Sequence, residues 1–380
     1  MAFPIPVSVL TGFLGSGKTT LLNKLLKDPA LKDTAVIINE FGEVGLDHLL
    51  VEQSDEGIIE LSDGCLCCTV RGALVDTLAT LVERVQTGRI ANLERVIIET
   101  TGLADPAPVL QSIMAHPVML QAFRLDGVLT TVDVINGDAT LNNHAEAVKQ
   151  VAMADRIVLT KSDMDGAQAE LPALLARLKQ LNPGARFVSS ADGSSNVSAL
   201  FDCGLYNPAT KTLDVERWLN EEAYRDREHE RHHLEHGHHH HGHDHHDHHH
   251  HDVNRHDKSI RAFSLVHDRP ISSSALDMFL ELLRATHGEH LLRMKGIVAM
   301  EDTPNRPMVI HAVQKTMHPP VRLSIWPGQD RRTRLVIIGK DLPEDYVRDL
   351  FAAFVGQQKI DRPDAQALMD NPLAIAGFKG

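Results

Sequence analysis

A glycine-rich segment near the start of the chain constrains its fold more than any other feature. Residues 12–19 read Gly-Phe-Leu-Gly-Ser-Gly-Lys-Thr, which matches the pattern G-x-x-x-x-G-K-[ST] in full. The apolar run Ile5–Leu10 before it predicts a buried strand, and leucines at helical spacing over Lys18–Lys27 predict a helix after it. This order of elements predicts a phosphate-binding loop (P-loop) in a parallel α/β sheet.

The loop predicts a set of nucleotide contacts. Its glycines let backbone N–H groups point at phosphate oxygens, and the helix N-terminus adds about half a positive charge. Lys18 is expected to reach the β- and γ-phosphates, and Thr19 to hold Mg²⁺. A glycine turn in an unrelated α/β protein is the alternative, which the flanking strand and helix disfavour. The predicted phosphate-binding residues are Gly12, Gly15, Ser16, Gly17, Lys18, Thr19 and Thr20.

Apolar runs alternate with helical patterns up to about residue 200. Because these runs lack strict apolar–polar alternation, they predict a parallel P-loop NTPase sheet with helices on both faces. The predicted strands after the first helix are Ala35–Ile38, Arg95–Ile98, Val128–Val132, Ile157–Leu159 and Phe187–Val188, with helical segments near 143–153 and 167–181. The predicted domains are residues 1–204, a His-rich flexible linker at 205–258, and a smaller α+β domain of one sheet and about two helices at 259–380.

Composition limits the partners and the compartment. The net charge of −13 disfavours nucleic acid as the main partner. No run approaches the ~18 apolar residues that a membrane span needs, and the N-terminus lacks the basic and apolar regions of a signal peptide. Three of the four cysteines are clustered within residues 65–68, which indicates metal or redox chemistry and not a disulfide framework. We therefore expect a cytoplasmic protein.

Two further segments complete the predicted nucleotide site. Glu99 directly follows the apolar run Arg95–Ile98. There it could hold the Mg²⁺ hydration shell or position the attacking water, so we assign Glu99 and Lys18 to catalysis. The alternative is a strand-end carboxylate with no role. Thr160-Lys161-Ser162-Asp163 follows another strand and resembles the Asn-Lys-x-Asp motif of GTPases, with Thr replacing Asn. Lys161 and Asp163 then predict guanine binding, against the alternative of an ordinary helix N-cap.

Cys65, Cys67 and Cys68 form a thiol cluster between the P-loop and Glu99. Three thiolates suit Zn²⁺ or Cu⁺. A redox pair is one alternative, although adjacent cysteines form a strained disulfide, and buried packing thiols are another. Glu40 belongs to an acidic segment, Asn39–Asp47, that could ligate Mg²⁺, complete the thiol site, or be a solvated loop.

A histidine-rich tract separates the two predicted domains. Sixteen of the 24 histidines lie between His229 and His256, and His236–Asp252 contains only His, Asp and Gly. Such a segment cannot bury enough apolar area to offset chain entropy, so we expect disorder. Its imidazoles suit Zn²⁺, Ni²⁺, Co²⁺ or Cu²⁺, which favours metal buffering or delivery over a solvated spacer.

Taken together, these motifs resemble the CobW family of P-loop GTPases, which includes the bacterial zinc-linked GTPases. The resemblance rests on IPVSVLTGFLGSGKTTLLN, INEFGEVGLD, GCLCC, ETTGLADP and TKSD in this order, and it covers the whole chain. It implies GTP hydrolysis, with Mg²⁺, coupled to insertion of a metal into a client protein. It also implies that Lys18 and Thr19 serve phosphate and Mg²⁺, that Lys161 and Asp163 serve guanine, and that Cys65, Cys67 and Cys68 bind metal.

Family members differ in the metal they deliver. We favour zinc, because thiolates suit it and histidine tracts suit scavenging. Cobalt or nickel delivery, for cobalamin synthesis or nitrile hydratase activation, is an alternative. A passive metal store and a nucleotide-dependent kinase are two others. The intact Lys18, Thr19 and Glu99 disfavour the store, and the lack of a second cluster of phosphate-binding arginines disfavours the kinase. No sequence motif specifies the client protein or the oligomeric state.

Overall fold

The computed structural model describes residues 4–39, 59–61, 70–191, 197–203, 206–207, 212–213 and 259–356. These residues build a large parallel sheet, a second antiparallel sheet and a two-stranded pair. Glu40, the three clustered cysteines and the histidine tract lie outside the described residues. Among the described helices, none combines the length and the apolar character that crossing a membrane requires.

The first unit begins with the strand–loop–helix that the sequence predicts. Its elements are β1 (Ile5–Gly12), α1 (Lys18–Leu26), β2 (Thr34–Asn39), β3 (Ile59–Leu61), α2 (Val70–Gln86), β4 (Arg95–Thr100), α3 (Ala107–Ala115), α4 (Pro117–Ala122), β5 (Phe123–Asp133), α5 (Gly137–Asn143), α6 (Ala145–Ala152), β6 (Arg156–Thr160), α7 (Ala167–Leu181), β7 (Arg186–Ser189) and α8 (Val197–Leu200). A pair of two-residue strands follows, β8 (Tyr206–Asn207) and β9 (Thr212–Leu213).

The large sheet has seven parallel strands in the order β3-β2-β4-β1-β5-β6-β7. Two separate apolar clusters, both including residues of its central strands, show that both faces are covered. Val7 and Val9 belong to one cluster, whereas Leu10 belongs to the other. This arrangement confirms the predicted fold class, and it brings the carboxyl ends of all the strands to one edge.

Two elements differ from the sequence expectation. The strand predicted at Val128–Val132 begins earlier, at Phe123. An apolar pattern misses this first part because it contains Asp126, which is buried and accepts hydrogen bonds from Ser8 Oγ and Arg95. The helical segment predicted near 143–153 is α6, and it is preceded by a helix that the sequence did not predict, α5. His144 between them has an extended backbone and stacks on Phe13 of the P-loop at 4.2 Å.

The second unit is a six-stranded antiparallel sheet with two helices, which confirms the predicted α+β class. Its elements are β10 (Ile260–His267), α9 (Ser273–His287), β11 (Leu291–Val298), β12 (Met308–Val313), β13 (Thr316–Met317), β14 (Val321–Arg322), β15 (Thr333–Lys340) and α10 (Glu344–Phe354). Ser272 caps α9 by accepting a hydrogen bond from the Ala275 N–H at 3.3 Å. The predicted domain limits at residues 204 and 258 stay predictions.

A buried ion cluster joins the two units at the amino edge of the parallel sheet. Asp155, just before β6, pairs with Arg293 at 2.7 Å and with Lys295 at 2.6 Å, both from β11. Arg293 also donates to the carbonyl of Met153 at the end of α6. Burial alone would raise the pKa of Asp155, but the two cations hold it well below its usual range. Burial lowers the pKa of Lys295 to about 8 in spite of this carboxylate.

Candidate nucleotide-binding site

The P-loop adopts the glycine-dependent geometry that its sequence predicts. Gly12 and Gly17 have φ of 144° and 88°, values that side-chain-bearing residues rarely adopt. A Cβ at Gly12 would lie 2.2 Å from Thr131 Oγ1, so this position also lacks room for a side chain. Ser16 Oγ and Thr131 Oγ1 are 2.6 Å apart, which fixes the loop against β5. The helix α1 therefore begins directly after this turn, with Lys18 as its first residue.

Lys18 and Thr19 present their polar groups at the carboxyl edge of the sheet. The Lys18 ammonium donates to the carbonyl of Gly12 at 3.0 Å and to that of Phe13 at 3.4 Å, so it folds back over the loop. Thr19 Oγ1 donates to Glu99 Oε1 at 3.2 Å. Glu99 is buried at the end of β4, as predicted from the apolar run before it. The hydroxyl and carboxylate oxygens together are the donor set that Mg²⁺ prefers.

An open pocket of about 690 Å³ lies over these groups. Its wall combines the P-loop with the loop that follows β4, residues 101–104. Five predicted phosphate-site residues line it, together with the predicted acid and the predicted guanine-binding lysine: Gly15, Gly17, Lys18, Thr19, Thr20, Glu99 and Lys161. The structure therefore brings two basic groups, one acidic group and several hydroxyl groups to a single cavity beside a helix N-terminus, which suits a polyphosphate.

Thr160 replaces the usual asparagine of the guanine motif and contacts the P-loop directly. Its Oγ1 lies 2.7 Å from the carbonyl of Ser16 and 3.2 Å from that of Val132, and it is the donor in both contacts. The substitution thus leaves a side chain that ties the P-loop to β6. The hydroxyls of Ser162 and Ser189 are 3.1 Å apart, which brings the end of β7 beside the motif.

Asp133 is a site residue that sequence reasoning missed. It ends β5, and its carboxylate accepts from the Lys161 ammonium at 2.7 Å. Burial favours a raised pKa, but hydrogen bonds from Lys161, Asn136 and the backbone outweigh it and lower the pKa of Asp133. The available signal was positional, because Asp133 follows an apolar run just as Glu99 does. The pair fixes Lys161, whose φ is 57°, while Asp163 stays exposed.

The predicted metal ligands Cys65, Cys67, Cys68 and Glu40 lie outside the described residues, so their proposed roles are not tested by the geometry. Cys203 is described and is buried at the amino edge, where its Sγ donates to the Leu200 carbonyl at 3.0 Å. Burial raises the pKa of this thiol. Within the described ranges, no three His, Cys, Asp or Glu side chains form a group suited to a metal.

Comparisons with known families agree with this geometry. Residues 6–189 match the CobW/HypB/UreG nucleotide-binding domain, and residues 260–355 match the cobalamin synthesis protein CobW C-terminal domain. The two matches correspond to the two units of the fold. They leave between them the segment that contains the histidine tract.

One relative matches this chain over nearly its full length, and another matches about half of it. The zinc chaperone YjiA of Escherichia coli K12 is 32% identical over 356 residues, which are 94% of this chain and 99% of the relative. The zinc-regulated GTPase metalloprotein activator 1 of Schizosaccharomyces pombe is 33% identical over 56% of this chain and 52% of its own length. The zinc-bound crystal structure of the E. coli YjiA GTPase superposes with a TM-score of 0.64 at 28% identity, covering 93% of this chain and 99% of that one.

Proposed function

Because this chain belongs to the CobW family, we propose that it is a GTP-hydrolysing zinc chaperone whose nucleotide state controls metal transfer to a client protein. The observation that carries the proposal is the pocket in which Lys18, Thr19 and Glu99 converge at the carboxyl edge of the sheet. Relatives named zinc chaperones and a zinc-regulated GTPase support both halves of the activity.

The chain's own groups account for phosphate binding and hydrolysis. The start of α1 and the Lys18 ammonium supply positive charge where the β- and γ-phosphates would lie. Thr19 and Glu99 would hold Mg²⁺, which when bound neutralises charge between those phosphates. These groups are already ordered by hydrogen bonds to one another and to the loop backbone. Charge developing in the transition state therefore meets a preorganised site.

Guanine recognition is assigned to Lys161 and Asp163. Asp133 holds the Lys161 side chain, so the lysine can cover the base without searching other rotamers. We assign the guanine N1 and N2 groups to the carboxylate of Asp163, which follows Lys161 in the motif and is exposed. The Thr160 contact with the Ser16 carbonyl links this base-binding loop to the phosphate-binding loop.

We assign zinc to Cys65, Cys67 and Cys68, with Glu40 as a further ligand of zinc or of Mg²⁺. Residues 62–69 connect the carboxyl end of β3 to α2, and β3 belongs to the same sheet as the nucleotide pocket. Three thiolates with a fourth position that is open or filled by an oxygen can pass a metal on, whereas structural zinc sites often use paired C-x₂-C units. The relatives' names favour zinc over cobalt or nickel as the cargo.

One preparation tests the combined activity. We expect the purified protein to release phosphate from GTP, and to bind zinc in preference to cobalt and nickel when the three metals compete under a common chelator. Turnover should be measured with and without Zn²⁺ on the same sample. Zinc binding without any GTP turnover would instead support a passive metal store.

A second experiment tests the coupling between nucleotide and metal. If metal affinity depends on the nucleotide state, linkage requires that zinc change the relative affinities for GTP and GDP by the same factor, typically about 5- to 150-fold. We expect different zinc affinities in chelator competition with a non-hydrolysable GTP analogue and with GDP. Replacing Cys65, Cys67 and Cys68 by serine should erase that difference while nucleotide still binds. Equal affinities in the two states would leave a GTPase that binds zinc without switching it.

A further inference from the structure

The loop after Glu99 is held from two sides. Residues 101–104 line the nucleotide pocket, and Gly102 lies so close to the P-loop that a Cβ there would be 2.6 Å from the Leu14 nitrogen. On the other side, Gln150 of α6 donates from Nε2 to the carbonyl of Gly102 at 3.1 Å and to that of Ala104 at 3.0 Å. The loop is therefore clasped between the P-loop and α6.

Gln150 is itself fixed in place. The residue is 1% exposed, and its main-chain carbonyl accepts a hydrogen bond from Thr130 Oγ1 of β5 at 2.9 Å. Both amide hydrogens are used by the two loop carbonyls, which sets the orientation of the amide, because the reversed amide would face those carbonyls with an oxygen. Its Oε1 has no hydrogen-bond partner among the described residues. The neighbouring Lys149 adds an ion pair with Asp105 at 3.1 Å.

The two hydrogen bonds from Gln150 also orient backbone N–H groups of the loop. A trans peptide holds its C=O and N–H groups antiparallel. The Gly102 carbonyl points to α6, so the Leu103 N–H points away from α6, and the Ala104 carbonyl fixes the Asp105 N–H in the same way. Because residues 101–104 line the pocket, a backbone N–H that points away from α6 can donate to a terminal phosphate bound there, provided the loop does not rotate.

We infer that Gln150 is a positioning residue for GTP hydrolysis: through the carbonyls of Gly102 and Ala104 it sets the loop that reads the γ-phosphate. The inference rests on the proposed GTPase function and adds a residue that none of the sequence motifs contains. The hydrogen bonds that the Gln150 side chain donates go to the loop carbonyls and not to Glu99, so it acts through the loop. A loop displaced by about 1 Å can reduce a reaction rate by on the order of 100-fold, so the side chain matters without touching the nucleotide.

The test compares two substitutions at Gln150 with a matched control. Gln150→Met removes both donated bonds without adding charge, and Gln150→Glu keeps the shape but faces the two carbonyls with an acceptor. Gln111→Met is the control, because Gln111 is also a buried glutamine of this unit, and its Nε2 donates to Gln314 at 2.9 Å, not to the loop. All three variants should be measured for kcat, for affinity toward GDP and a non-hydrolysable GTP analogue, and for thermal unfolding.

We expect both Gln150 variants to lose about 10- to 100-fold in kcat. Their affinity for the GTP analogue should fall roughly tenfold relative to that for GDP, because only the analogue carries a γ-phosphate for the loop to meet. Gln111→Met should keep the wild-type kcat and the wild-type affinity ratio even if it unfolds at a lower temperature. An unchanged analogue-to-GDP ratio in both Gln150 variants would refute the role.

The two proposals fail in different ways. If the wild-type protein bound both nucleotides but hydrolysed no GTP, the GTPase proposal would be wrong, and the affinity ratio would still decide whether Gln150 sets the loop. If the wild type hydrolysed GTP and the Gln150 variants lost affinity for both nucleotides equally, in step with their unfolding temperatures, Gln150 would have only a structural role.

Discussion

The two edges of the parallel sheet both carry charged side chains, but they use them differently. At the carboxyl edge, Lys18, Glu99 and Lys161 line an open pocket of about 690 Å³. At the amino edge, the side chains of Asp155, Arg293 and Lys295 are between 5% and 11% exposed and pair with one another. One edge presents its charges to a cavity that a ligand can enter, and the other uses them to join two units of the same chain.

The surroundings of the charges explain this division, because burial alone does not: Lys18 and Glu99 are as buried as Asp155. An isolated charge in a protein interior is too costly to keep, so buried charges are paired within the chain. Asp155 meets this requirement with two cations and with the Val128 N–H, which donates to it at 2.9 Å. At the open edge, Lys18 donates to loop carbonyls and Glu99 accepts from a hydroxyl. Both groups also stand at the wall of a cavity, where water or a ligand can solvate them. Charge at the open edge is thus available for chemistry, whereas charge at the closed edge is committed to structure.

The largest expected effect is on hydrolysis at the open edge. Lys18→Ala should abolish GTP turnover, a loss of at least about 100-fold, because the main side-chain cation on the β- and γ-phosphates is gone. The fold should remain intact, since the contacts of Ser16 with Thr131 and Thr160 hold the P-loop without the lysine. Phosphate release and circular dichroism measure the two outcomes. Lys27→Ala, at an exposed lysine just after the same helix, is the control. Near-normal turnover in folded Lys18→Ala protein would overturn the phosphate-site assignment.

The next effect, at the closed edge, should fall on stability instead. Asp155→Ala leaves Arg293 and Lys295 buried without their carboxylate, which typically costs about 3–5 kcal/mol. Urea denaturation should show the loss. Asp138→Ala is the matched control, because Asp138 forms an ion pair with Arg177 at 2.7 Å but is 53% exposed, and such pairs contribute about 0–1 kcal/mol. Equal losses of unfolding free energy in the two variants would show that the ion cluster does not stabilise the contact between the two units.

How far the sequence predicted these two edges depends on how local each signal is. The P-loop is continuous over residues 12–19, so its role and its turn could be predicted from sequence alone. Glu99 could be placed because it directly follows an apolar strand. The contact between Lys161 and Asp133 joins residues 28 positions apart, and nothing in the TKSD motif names its partner. The position of the guanine motif was predictable, but the residue that orients its lysine was not.

The closed edge was invisible to sequence reasoning for a related reason. Asp155 and Lys295 are 140 positions apart and lie in different units. Arg293 and Lys295 are two positions apart in β11, a spacing that normally predicts an exposed face of the strand. Every position of this strand is nevertheless buried. Only the docking of β11 against the end of α6 and the start of β6 explains why these cations are buried.

A smaller effect is expected on base selection. Asp163→Asn should weaken GTP binding by about 10- to 100-fold, because a hydrogen bond to a charged group contributes roughly 1.5–3 kcal/mol. The asparagine amide can donate to the O2 atom of xanthine, so the variant should gain affinity for XTP. Competition binding with GTP, ATP and XTP measures both changes. Asp165→Asn, at an exposed aspartate two positions further on, should leave the preference for GTP unchanged. Unaltered base preference in Asp163→Asn would remove guanine from the assignment.

The smallest effect on the folded units is expected from the histidine tract, which lies outside the described residues. Deleting His236–Asp252 should lower the number of zinc ions bound but spare the tightest site, because a tract of His, Asp and Gly offers weak sites and contributes little to a folded core. Turnover of GTP should stay within about twofold of the wild type, since neither edge loses a contact that the structure describes. Replacing the histidines of the tract by serine at constant length separates metal binding from linker length. Zinc titration and phosphate release measure the outcome in both variants. Loss of the tightest zinc in the serine variant would move the primary metal site from the cysteines to the tract, and unfolding of the deletion variant would show that the tract is part of the fold.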